Sequence, residues 1–341
     1  MQSQPSFLIL GATGSIGYAV AENLLHRRLP VTLLVRSRAK AEALFPKQPN
    51  LTIAEGDVMD VTLLKRLSAD KTHIFHGINY PYNRWFGNMD RVTANVIEAA
   101  SQNRATLVFP GNIYQYGLTT EPIREDSHPN PCSRKGRLRL ELETMMEKAV
   151  REDRCRLLTV RMPDFWGPNV LNDGVRPIFE NALKGKALPW LSTIDIPHQA
   201  VYTPDAAELI VRLMLRPEQK PVEVWNYGGP TFPSMRWFFE KLTEQAGKPL
   251  KTTIYSRTFV TIMGLFMPVL REVKEMLYLY ENTVVLDDRR LRALFPDFRE
   301  TPLEKALADT LAWFRSRQKA PVQANLRYSP GVAPVHFLNE R

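Results

Sequence analysis

Cysteine is scarce: Cys132 and Cys155 are the two in 341 residues. That is too few for a disulfide framework in a chain of this length, and their spacing fits no metal-ligand motif, so a reducing cytoplasm is expected. Long hydrophobic runs are also missing. The longest apolar stretch, Phe259 to Leu270, contains Gly264 and Pro268 and falls well short of the ~20 residues that span a membrane. It is expected to be core or the wall of a substrate pocket, ahead of a contact with a membrane surface or a partner. The amino end has no basic region or cleavage site, so no secretory leader is expected; a polar lead from Met1 to Ser6 runs directly into Phe7-Leu-Ile-Leu10. The charge imbalance is modest, with 45 Lys+Arg against 36 Asp+Glu and a net +9. The basic residues are scattered among acidic ones and carry no finger, helix-turn-helix or RNA-binding signature, which argues against a nucleic-acid partner. A phosphorylated cofactor and an anionic small-molecule substrate account for the same surplus.

At 44% hydrophobic and 24% charged residues the composition is that of an ordinary globular protein. Short apolar runs alternate with helical periodicity, and strands are expected at 7–10, 31–35, 51–54, 73–78, 106–110 and 156–161, the rhythm of a parallel α/β sheet. Between the first two strands, Ile16, Val20 and Leu24 recur every four residues beside Ala19, forming one apolar helix face that ends before Pro30. After Pro163 prolines and aromatics interrupt the pattern until a strand-like Val222–Tyr227. His73 and His76 alternate on one strand without a carboxylate or cysteine cluster, so no metal site is expected.

The segment Leu8-Ile-Leu-Gly11-Ala-Thr-Gly14-Ser-Ile-Gly17 sets three glycines between a buried strand and an amphipathic helix, the setting in which such a turn binds a dinucleotide. Gly11 permits the tight turn, Gly14 lets a pyrophosphate approach the backbone, and Gly17 lets the helix pack on the sheet. Thr13, Ser15 and Ile16 complete the cradle, where the helix N-terminus supplies N–H groups and positive dipole. The chain here resembles the short-chain dehydrogenase/reductase superfamily, and in particular its extended branch, the NAD-dependent epimerase/dehydratase family. Gly56-Asp57-Val58, Tyr116-Gly117, Arg161-Met-Pro-Asp-Phe-Trp-Gly-Pro168, Val201-Tyr-Thr-Pro-Asp205-Ala-Ala and Trp225-Asn226-Tyr-Gly-Gly229 continue the resemblance over roughly residues 7 to 316.

This resemblance implies an α/β fold: a Rossmann-type doubly wound parallel sheet with a smaller C-terminal substrate lobe. The expected division is a dinucleotide-binding domain over 1–165 whose sheet is completed by 198–228, a substrate lobe from 166–197 and 229–316, and an arm or disordered tail over 317–341. The family resemblance also implies a homodimer.

Cofactor choice rests on the end of the second strand, where NAD-preferring relatives place a carboxylate. Here the residues are Val35-Arg36-Ser37-Arg38. A guanidinium binds a 2′-phosphate that a carboxylate would repel, so NADP(H) is expected over NAD(H), with Arg36 the main contact and Ser37 or Arg38 assisting. Asp57 resembles the family residue that meets adenine, with Val58 lining the same pocket; Asp57 is also a reasonable helix cap, although Asp60 is better placed.

The catalytic pattern departs from the family's. Hydride-transferring relatives carry a Ser or Thr after the fifth strand and a Tyr-x-x-x-Lys pair on the next helix. The same positions here hold Asn112, Lys135 and Arg139. Lys135 and Arg139 lie one turn apart on one helix face. Beside Arg139 and an oxidised nicotinamide, Lys135 is expected to have its pKa lowered and so to exchange a proton near neutral pH; a solvated charge at the helix start is the competing reading. Lys-x-x-x-Arg also resembles the isoflavone-reductase-like branch, which uses a lysine with NADPH. Arg139 would hold the cofactor ribose and Asn112 the substrate oxygen. Tyr114 and Tyr116 are reserve acids, and Tyr116 joins Asp164 and Trp166 as substrate-pocket candidates, the last two reading equally as a turn carboxylate and a core aromatic. Asp205 is expected to cap the helix at 206–213.

Three functions remain open. The leading expectation is an NADP(H)-dependent oxidoreductase acting on a carbonyl or activated double bond of a small organic substrate. A catalytically inactive NADP(H)-sensing regulator and a nucleotide-sugar epimerase follow.

Overall fold

The computed structural model describes residues 4–217 and 220–319. Its strands in chain order are β1 (Phe7–Leu10), β2 (Val31–Val35), β3 (Leu51–Glu55), β4 (His73–His76), β5 (Thr106–Gly111), β6 (Arg156–Arg161), β7 (Asp164–Trp166), β8 (Leu188–Leu191), β9 (His198–Tyr202), β10 (Val222–Asn226), β11 (Thr231–Phe232) and β12 (Thr252–Tyr255). Seven of them form a parallel sheet in the order β10-β6-β5-β4-β1-β2-β3. The order reverses between β1 and β4, and the crevice beyond the carboxyl ends of those strands is where such sheets bind ligands.

Both faces of the sheet are covered, so its central strands read as unbroken apolar runs. Phe7 and Ile9 point into one core with Leu33, Val108 and Val160. Leu8 and Leu10 point into the opposite core with Ile74, Leu107 and Phe109. Helices α1 (Ser15–His26), α2 (Arg38–Leu44), α3 (Val61–Ser68), α4 (Met89–Ala100) and α5 (Arg134–Arg151) make the first crossovers. Asp60 caps α3 by accepting from the Leu63 N–H at 3.0 Å. Beyond β7, α6 (Arg176–Lys184), α7 (Thr203–Met214) and α8 (Met235–Ala246) are followed by two short helices, α9 (Arg257–Met263) and α10 (Pro268–Lys274), and a final helix spans Leu303–Lys319.

Of the stretch 198–228 expected to complete the sheet, β10 joins it beside β6, whereas β9 pairs with β7 and β11 in a separate three-stranded sheet. A second small sheet pairs β8 with β12. The lobe core is aromatic, centred on Trp166, Phe179, Trp190, Phe238 and Phe314. Asp205 does not cap α7: it lies in the first turn and accepts from the Thr301 N–H at 2.9 Å and hydroxyl at 2.6 Å, tying α7 to the chain before the final helix. Of the 317–341 tail, residues 317–319 continue the final helix and 320–341 lie outside the described residues. Among the described residues no helix is long and apolar enough to cross a membrane, and no cluster of ligating side chains is placed to hold a metal.

Candidate active site

The glycine turn is built from backbone. Gly11 has φ +84°, and a β-carbon there would stand 2.5 Å from the Gly77 carbonyl oxygen, so the turns after β1 and β4 are pressed together. A β-carbon on Gly17 would fall 2.4 Å from the Gly11 oxygen. At Gly14 the nearest atom is the Gly11 oxygen at 3.2 Å, with no other neighbour within 4 Å. Gly14 is also the N-cap of α1 and offers no side-chain hydrogen bond there. Space and helix N–H groups therefore coincide, which suits an anionic phosphate. The Asn169 side-chain amide donates to the Thr13 and Gly14 carbonyls, each at 3.4 Å, and braces the turn from the loop after β7.

At the ends of β2 and β3, Ser37 caps α2, and Arg38 donates to the Ile53 carbonyl at 2.6 Å, turned across β3. Arg36 is exposed. Lys40 has its pKa lowered, first by burial and then by the charges of Arg36 and Arg317, so three cations converge beside α2. Asp57 accepts from the Met59 N–H at 2.9 Å, and Val58 is buried in the core. Tyr80 is raised by burial and by Asp57 and lowered by Arg36 and Arg91. Tyr80, Asp57 and Arg36 thus share one electrostatic neighbourhood.

The segment between β5 and α5 is built from side chains. Asn112 accepts from the Tyr114 N–H at 3.1 Å, which starts the turn. Tyr114 and Tyr82 join hydroxyls at 2.8 Å. Burial raises the phenols of Tyr82, Tyr114 and Tyr280, and the Asp164 carboxylate raises all three further, Tyr82 to about 12. Near neutral pH the three are proton donors. Asp164 is half exposed and pairs with His198 at 3.1 Å.

Lys135 follows the Ser133 cap of α5 and is fully buried. It pairs with Glu272 of α10 and with Glu275, and donates to the Glu272 carbonyl at 3.3 Å. Its ammonium lies 5.0 Å from the Tyr82 ring centre. The expectation of a lysine flanked by positive charge is corrected here: two carboxylates from the lobe are its immediate partners, and it is not a solvated helix-start charge. Arg139 is buried, donates to the Pro110 carbonyl at 2.9 Å, stacks on Phe109 at 4.6 Å, and keeps a buried Nε without a hydrogen-bond partner.

Two candidates stand apart. Tyr116 is buried against Ile123, Met276 and Leu286, with Arg161 over its ring at 5.3 Å. Trp166 is a buried core aromatic, packed on Phe179, Tyr202 and Phe238.

Residues 7–228 match the model of the NAD dependent epimerase/dehydratase family. The chain belongs to that family. An uncharacterized Sinorhizobium fredii protein, y4nG, is 21% identical over 246 residues; the match covers 70% of this chain and 60% of that relative, so this chain spans less than two thirds of its length. Among solved structures, the Bordetella bronchiseptica enzyme WbmH in complex with NAD+ is similar at 20% identity and a TM-score of 0.73, covering 91% of this chain and 98% of that one. The UDP-glucuronic acid 4-epimerase of Bacillus cereus, in complex with NAD, is 16% identical with a TM-score of 0.75, covering 92% and 100%. The UDP-glucose 4-epimerase of Thermotoga maritima is 17% identical with a TM-score of 0.72, covering 92% and 100%.

In this member of the epimerase/dehydratase family, several residues at the site escape a sequence reading. Tyr80 and Tyr82 carry a local signal, since Asn79-Tyr-Pro-Tyr82 is an aromatic loop at the carboxyl end of a central strand. Glu272 and Glu275 carry none, because they lie about 140 positions from Lys135, on and just after a helix whose placement depends on the lobe.

Proposed function

We propose that the protein is a nicotinamide-dinucleotide-dependent enzyme that moves hydride at an oxygen-bearing carbon of a small substrate, with nucleotide sugars the first class to test. The carrying observation is the half-buried phenol pair, Tyr82 and Tyr114, at the mouth of β5 beside Lys135 and Arg139. The nicotinamide, when bound, supplies or accepts the hydride. The glycine turn holds the pyrophosphate at the open Gly14, Asp57 and Tyr80 flank the adenine, and Arg139 is the candidate for a ribose hydroxyl. Tyr114, protonated near neutral pH, donates to the substrate oxygen as it gains negative charge in reduction, and Tyr82 restores that proton along their shared hydrogen bond and regains its own from solvent. Asn112 steadies the turn from which Tyr114 projects.

Nucleotide sugars, ranked last from the sequence, move ahead of a simple carbonyl compound because solved relatives of similar fold are named for UDP-sugar 4-epimerisation. Arg36 with Lys40 supports a 2′-phosphate and hence NADP(H), although WbmH and the Bacillus cereus epimerase are in complex with NAD. Two unpaired cysteines, one exposed and one buried, suit a cytoplasmic setting.

The test combines NADH and NADPH fluorescence titration with NMR analysis of UDP-glucose and UDP-glucuronic acid incubated with enzyme and cofactor. Inverted product, or cofactor turnover, that falls at least ~100-fold in Tyr114→Phe supports the reading; unchanged turnover in that variant overturns it. A second reading, a cofactor-binding regulator without turnover, is favoured by the carboxylate pair that occupies Lys135. Tight cofactor binding with no change in any substrate would select it.

A further inference from the structure

The apolar stretch Phe259 to Leu270 is only in part the core segment expected of it. It folds as α9, a turn and the start of α10, with Val260 and Leu270 packed inward against Leu277. Phe259 and Ile262, one turn apart on α9, face outward, and Leu265 and Phe266 at the turn are 78% and 77% exposed. A helical hairpin apolar on its outer as well as its inner side calls for an apolar cover.

We propose that this tip docks on an anionic lipid bilayer, inserting Phe259, Ile262, Leu265 and Phe266 at the headgroup boundary. Charge argues for that occupant. No acidic residue occurs from Lys251 to Arg271, and Arg271 and Lys274 are exposed on α10, which leads from the tip, on a chain of net charge +9. Glu272 and Glu275, which follow, are turned to the buried Lys135, and basic side chains flanking a small apolar insertion are what anionic headgroups attract. Size argues against a second copy, because four side chains at a turn offer a few hundred Å² at most, roughly half the ~800 Å² per partner of a stable interface. Arg257 contributes little, being paired with Glu281.

The experiment is co-sedimentation of the full chain with phosphatidylcholine vesicles and with phosphatidylcholine vesicles containing one part in three of phosphatidylglycerol. Binding to the anionic vesicles, weakened by high salt and reduced at least ~tenfold in L265E/F266E, is expected. Arg271→Glu is expected to weaken it about threefold with no change in circular dichroism or melting temperature, which separates loss of docking from loss of fold. Absence of binding to the anionic vesicles, or equal binding by L265E/F266E, overturns the proposal. So does a dimer in solution that L265E/F266E converts to monomer, since the tip is then a self-association face.

Discussion

The turns that follow β1 and β5 leave parallel strands of one sheet and are built by opposite means. After β1 the site is backbone: Gly11, Gly14 and Gly17 bring N–H groups and empty space together within seven residues, and what matters is the β-carbons they lack. After β5 the site is side chain: Lys135 and Arg139 of α5, Tyr114 and Tyr82 converge from three segments, and Glu272 and Glu275 reach Lys135 from the lobe. A backbone-built site is local and survives most changes around it. A side-chain-built site depends on distant elements staying in register, and its chemistry changes when one member changes.

The largest test of that contrast is removal of the buried ammonium. Lys135→Met leaves two partly buried carboxylates facing each other and is expected to cost about 3–5 kcal/mol, read by urea unfolding. Adding Glu272→Gln and Glu275→Gln should return stability to within ~1 kcal/mol of the parent, because no charge is then left unpaired. A neutral Lys135→Met would show that the pairing contributes nothing.

Acid tests β4, which lies between the two turns. Burial holds His73 at about 4 and His76 at about 3, so both are neutral in the folded protein near pH 5. The unfolded chain protonates them below about 6.5, so it binds more protons and stability falls as pH falls from 6.5 toward 4. The expected loss by pH 5 is about 2 kcal/mol per histidine, and His76→Gln should remove roughly half of that acid dependence in a melting-temperature series.

Next come paired substitutions in the glycine turn. Gly17→Ala forces a β-carbon onto backbone and should cost about 1–3 kcal/mol, whereas Gly14→Ala should cost under ~1 kcal/mol yet weaken dinucleotide binding at least ~tenfold. Equal effects at both positions would mean that the turn is structural and holds no phosphate. The smallest expected effect is at the rim: Arg36→Glu should lower NADPH affinity about tenfold, near 1.4 kcal/mol, while NADH affinity changes little. Equal losses for both nucleotides would remove the 2′-phosphate reading.

Legibility in the sequence follows the same division. The central strands were readable because both sheet faces are buried, which leaves short unbroken apolar runs between amphipathic helices. The glycine turn was readable because its steric requirement is met within one segment. Trp166 shows where such reading stops: an aromatic after β6 suits a pocket or a core equally, and the rings of Phe179, Tyr202 and Phe238 put it in the core. The stretch from Phe259 to Leu270 was legible only in part for a related reason, since composition reports how apolar a segment is but not which of its faces finds a partner.

The sequence by itself determined the parallel sheet, the dinucleotide turn and the loss of the family's Tyr-x-x-x-Lys pair, each a matter of residues near one another in the chain. Tertiary structure alone decided what surrounds the replacements. Whether Lys135 is a solvated charge or a buried cation held by two carboxylates depends on the docking of α10 against α5, a contact across about 140 residues. The electrostatics of a buried group are set by the neighbours that exclude water from it, and those neighbours are chosen by the fold.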